Sequence, residues 1–129
     1  MKLRILGNAI RLRLKRTEVE AIASGRPVFE QTQFAGSTFV YCLQVEDGEN
    51  YSADFSGAKM SIGLPARRAK EWATGSEVSL RAEYDTGVDR PLTLLIEKDF
   101  ECLSPGDNRN QSDDEDTFAH PDAESGVSC

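Results

Sequence analysis

Arg11, Arg13 and Lys15 recur at two-residue spacing, with Leu12 and Leu14 between them. In an extended strand alternate side chains fall on one side, about 7 Å apart, so this spacing lines three cations along one face. Lys2 and Arg4 alternate in the same way with Leu3 and Ile5, just before Gly7-Asn8. If a turn there folds the two segments into a hairpin, Lys2, Arg4, Arg11, Arg13 and Lys15 share one surface. Guanidinium groups take carboxylate and phosphate oxygens in pairs, so such a surface suits a small anion or an acidic protein partner. The same pattern also describes the solvated face of an amphipathic hairpin, with cations guarding an edge strand.

A second alternation lies near the other end of the apolar region. Glu97, Asp99 and Glu101 fall on one face of a strand, with Lys98 on the other. Three carboxylates can hold a hard cation such as Mg²⁺ or Ca²⁺. They can equally pair across strands with Arg11 or Arg13, each pair contributing roughly 0.2–1 kcal/mol, and this is the preferred reading. The two charged faces together raise an alternative function, a metal-dependent phosphate-ester or triphosphate hydrolase with a charged barrel interior. The Glu-x-Glu-x-Lys strand of triphosphate-tunnel enzymes is absent from the N-terminus, and no glycine-rich phosphate loop is present. The single His120 stands in a polar tail, which removes His-x-x-x-His zinc sites and leaves a catalytic triad without a fixed base. Cys102, after an apolar strand, reads as a small hydrophobe, and Trp72 as core. The balance favours a non-enzymatic binding module without a cofactor.

Charge is distributed unevenly over the 129 residues, whose net charge is −7. Residues 1–26 hold seven cations against Glu18 and Glu20. Residues 104–129 hold Arg109 against Asp107, Asp113, Asp114, Glu115, Asp116, Asp122 and Glu124. Without a dominant positive field, duplex nucleic acid is not an expected partner. No apolar run approaches the ~20 residues of a membrane helix, and the charged N-terminus lacks a secretory core. Three cysteines, Cys42, Cys102 and Cys129, are an odd number without a close pair, which fits a reducing, cytoplasmic setting. Oligomeric state has no signature in the pattern.

The elements that must position these residues follow from an internal repeat. A shift of fifty places Gly7 on Gly57, Leu14 on Leu64, Ala23 on Ala73, Gly25 on Gly75 and Val28 on Val78, and brings Ile22 over Trp72. Each half, 1–46 and 51–100, then reads strand, strand, helix, strand, strand. Gly7-Asn8 and Ser56-Gly57 supply hairpin turns. Thr17 with Glu20 forms a capping box for the first helix, and Pro65 opens the second. The expected fold is α+β: a duplicated strand-strand-helix-strand-strand unit forming a mostly antiparallel eight-stranded sheet or partial barrel with two short helices. One domain spans 1–103. Residues 104–129 are too polar to offset their chain entropy and are expected to be a disordered acidic tail, able to cover the basic strand transiently.

Several blocks carry a resemblance: Lys2-Leu3-Arg4-Ile5-x-Gly7-Asn8-x-Ile10-Arg11-Leu12-Arg13-Leu14, Tyr51-Ser52-Ala53-Asp54-Phe55, Lys70-Glu71-Trp72, Glu97-Lys98-Asp99-Phe100-x-Cys102-Leu103 and Gln111-Ser112-Asp113 with the late Pro121. Their order and spacing, over about residues 1–121, resemble a family of small bacterial proteins of unknown function. The sequence departs from that pattern at His120-Pro121 and around Gly87-Val88-Asp89-Arg90. The resemblance implies a type of protein and no activity.

Overall fold

A computed structural model describes residues 1–100 and Phe118. Its order is β1 (Lys2–Leu6), β2 (Ala9–Leu14), α1 (Arg16–Ala23), β3 (Val28–Gln33), β4 (Thr38–Glu46), β5 (Ser52–Ser56), β6 (Lys59–Pro65), α2 (Ala66–Thr74), β7 (Ser79–Tyr84) and β8 (Leu92–Lys98). The protein is α+β and mostly sheet. Cys102, Glu101, His120 and the remainder of the acidic tail lie outside the described residues.

The strands form two four-stranded sheets, β1-β2-β8-β7 and β3-β4-β6-β5, in place of the expected eight-stranded sheet or barrel. The hairpin pairings are antiparallel. The hairpins join through parallel pairs, β2 with β8 and β4 with β6. Both sheets are therefore mixed. A parallel pair needs a connection that returns the chain to the same end of the sheet, and the two sheets supply it differently. Between β4 and β6 the chain passes only through the edge strand β5, whereas between β2 and β8 it leaves the first sheet through α1 and returns to it through α2.

One apolar cluster joins both sheets and both helices. Leu12, Leu14, Leu80, Leu94 and Ile96 come from the first sheet, Leu43, Ile62 and Leu64 from the second, and Val19, Ile22, Ala69 and Trp72 from the helices. Period-two alternation in the strands and the i, i+3 stripe of each helix direct these side chains to a common interior. Trp72 is fully buried and its indole N–H donates to the Val78 carbonyl at 3.1 Å.

Local chemistry explains the ends of elements, with one shift from expectation. The first helix starts at Arg16, with Lys15 at its N-cap, so Thr17 and Glu20 do not form the cap. Instead Glu18 Oε1 accepts from the Lys15 backbone N–H at 2.8 Å, and its Oε2 holds the buried Met1 ammonium at 2.6 Å. The β5–β6 turn centres on Gly57-Ala58, one residue beyond the expected pair, and both have positive φ, 56° and 61°. That geometry is the mirror-image turn that matches strand twist. In β6, Gly63 lets the Glu46 carboxylate lie across the strand; a Cβ there would fall within that carboxylate.

Candidate functional site

The β1–β2 register sets Lys2 opposite Arg13 and Arg4 opposite Arg11, so the expected pairing of the two basic segments is present. Leu12 and Leu14 point inward and are buried, which turns the four cations to the outer face of the first sheet. Lys15 is the exception: β2 ends at Leu14, and Lys15 becomes the N-cap of α1. Parallel pairing then brings β8 beside β2, with Arg13 opposite Glu97 and Arg11 opposite Leu95. Beyond β8, β7 places Arg81 opposite Leu95.

The acidic strand neutralises part of this face. Glu97 Oε1 lies 3.2 Å from Arg11 Nε and 3.3 Å from Arg13 Nε, accepting a hydrogen bond from Arg13. Asp99, buried, has Oδ2 3.1 Å from Lys2 Nζ. Cross-strand pairing thus occupies the two described carboxylates of the Glu97, Asp99, Glu101 set. Among the described residues no group of three His, Cys, Asp or Glu side chains is placed to hold a metal ion. Lys98 points the other way, as its alternation requires. Its Nζ donates to the Gly75 carbonyl at 2.9 Å, 5.8 Å from the Trp72 ring centroid and 5.5 Å from that of Phe118. Burial pushes the Lys98 ammonium below its ordinary pKa.

What remains is a row across four strands: Arg4, Arg11, Leu95, Arg81. Among the described residues no carboxylate lies within ion-pair distance of Arg4 or Arg81. A cavity of about 270 Å³ opens at this row, lined by the three arginines and by Leu6, Ala9 and Leu95. Arg81 was not among the candidates from sequence. The alternation of Ser79, Arg81 and Glu83 against Leu80, Ala82 and Tyr84 marks it as outward-facing. Its membership in this row depends on β7 entering the sheet that holds β1 and β2.

The other reactive side chains stand apart. Cys42, on the outer face of the second sheet opposite Ser61 and Phe29, is buried, and burial pushes its thiol pKa up. Tyr41 donates to the Met1 carbonyl at 2.7 Å; burial first, then Glu30 and Glu18, raises its pKa. Arg68 makes a two-point contact with Glu77 at 3.0 Å on an exposed surface, which holds the Glu77 carboxyl below its ordinary pKa.

Fold and face together define a small two-sheet α+β protein with a partly uncompensated arginine row. The chain belongs to a family of unknown function, DUF7009, whose model matches residues 1–122. Neither the curated proteins nor the solved structures gave a match. No helix among the described residues is long and apolar enough to cross a membrane.

Proposed function

We propose that the protein is a binding module for a small anion or acidic group, held on the outer face of the first sheet by Arg4, Arg11 and Arg81, with Lys2 and Arg13 at the rim. One observation carries this reading: Arg4 and Arg81 flank a cavity and have no carboxylate partner among the described residues. Like charges directly opposite one another, as Arg4 and Arg11 are, destabilise a sheet. An oxyanion between them converts that repulsion into charge-assisted hydrogen bonds. Solvation alone accounts for single exposed arginines, but less well for three in one row around a concavity.

The test is a titration with inorganic phosphate and a short polyphosphate, followed by backbone NMR shifts. Shifts at Arg4, Arg11 and Arg81 that vanish in Arg4→Gln and Arg81→Gln support the reading. Binding that ignores both substitutions removes it.

We further propose that the two halves are copies of one unit. Several features support this. Exchanging the halves turns the strand order β1-β2-β8-β7 into β5-β6-β4-β3, which is the second sheet. Gly7 and Gly57 share φ 56°. The following carbonyls accept equivalent bonds at 3.0 Å, Asn8 from Thr93 and Ala58 from Val40. Ile22 and Trp72 are both buried. A pair of halves that superposes poorly in an experimental structure contradicts the duplication.

A further inference from the structure

We infer that the ligand of the arginine row is a small phosphate monoester whose organic group is apolar. The inference rests on the anion-binding reading above and adds the charge, size and second half of the ligand.

Charge comes first. Glu97 is shared between Arg11 and Arg13, whereas Arg4 and Arg81 have no carboxylate within ion-pair distance among the described residues. The cavity therefore carries about two uncompensated positive charges. A monoester phosphate carries about −1.5 to −2 at neutral pH and offers three oxygens, which matches both that charge and three guanidinium groups. A monoanionic sulfate ester or carboxylate matches it less well.

The apolar half follows from the floor. Leu95 stands between Arg11 and Arg81 in the row, and Leu6 and Ala9 lie along the same wall. Leu6 is 75% exposed, unusual for a leucine in a paired strand. A purely ionic site would have no use for these side chains, whereas a ligand with an organic group covers them as its phosphate meets the arginines. Removing apolar surface from water then adds to affinity.

Size narrows the class. At about 270 Å³ the cavity is just below the ~300–1,000 Å³ typical of drug-sized ligands. A phosphate with one ring or a short chain fits within it.

The full chain is titrated by calorimetry with phenyl phosphate, inorganic phosphate and phenyl sulfate. Phenyl phosphate is expected to bind about tenfold more tightly than either of the others, a difference of ~1.4 kcal/mol. Its affinity should fall as pH drops through about 6, where the phosphate loses its second charge and arginine does not titrate. Leu6→Ser and Leu95→Ala should each shrink the preference for phenyl phosphate over inorganic phosphate. Arg81→Gln should weaken both phosphates alike. Equal binding of phenyl phosphate and inorganic phosphate overturns the apolar half while leaving the anion-binding reading intact. Equal binding of phenyl sulfate and phenyl phosphate overturns the charge argument. No binding of any of the three overturns this inference and the reading on which it rests.

Discussion

Replacing Glu97 by Gln isolates the electrostatics of the arginine row. Glu97 Oε1 sits 3.2 Å from Arg11 Nε and 3.3 Å from Arg13 Nε, so its charge offsets one cation of the row and one at its rim. The glutamine keeps shape and most packing, because Glu97 is only partly buried. A phosphate over Arg11 lies one diagonal step from Glu97, about 7 Å away in an ordinary sheet. A dianion there is repelled by the carboxylate by about 1.2 kcal/mol in water before screening. Screening over a ~8 Å Debye length leaves about 0.5 kcal/mol at physiological salt, and a ~30 Å length leaves about 0.9 kcal/mol at low salt. The variant should therefore bind phosphate about twofold more tightly at physiological salt and about fivefold more tightly at low salt. Calorimetric titration at the two ionic strengths reads both numbers. Stability should fall by about 1 kcal/mol, as for a partly exposed ion pair. Unchanged or weaker phosphate binding at low salt would refute the argument, because any anion held at this row must feel the loss of that charge.

Other outcomes follow from the core, the turns and the buried charges. Trp72→Ala should lower unfolding free energy by ~3–5 kcal/mol in denaturant titration, since the indole is fully buried and its N–H bond to Val78 is also lost. Ala58→Gly should raise it by ~1 kcal/mol, because φ is 61° at Ala58 and only glycine adopts that region without a Cβ penalty. The folded state lowers the Lys98 pKa from 10.5, so in the window between that depressed value and 10.5 the unfolded chain binds more protons. Stability should rise with pH across that window, and Lys98→Met should flatten the rise. Tyr41 acts with the opposite sign above the ordinary tyrosine value of 10.0, because its folded pKa is raised, so the Lys98→Met difference is the informative measurement. Truncation after residue 103 removes seven acidic groups and one arginine, and it also removes Phe118. Polyanion binding should tighten at low salt, and stability should drop measurably, since the Phe118 N–H donates to the Asp99 carbonyl at 2.8 Å and its ring packs edge-on against Phe100.

Local pattern carried most of the element boundaries. Alternation in residues 2–14 marked β1, β2 and the side each residue faces, and glycine punctuation located the turns, because both effects act over a few residues. The cap of α1 was misread by two positions. Thr17-x-x-Glu20 has the right side chains, but Glu18 is drawn to the Met1 ammonium and to the Lys15 N–H, and that long-range contact sets where the helix begins. The ion pairs of Glu97 with Arg11 and Arg13 were legible as a preference for cross-strand pairing, since opposite charges at matching spacing favour it.

By itself, then, the sequence determined which residues form strands and helices and which faces are charged, because side-chain periodicity is a property of the local backbone. Only the tertiary structure decided that there are two mixed sheets, that Lys15 leaves the basic row, and that Arg81 joins it. Those outcomes depend on which hairpin sits beside which. That choice is made by burial of the sheets' and helices' apolar sides in one shared core, between segments up to about eighty residues apart, and no short-range pattern records it.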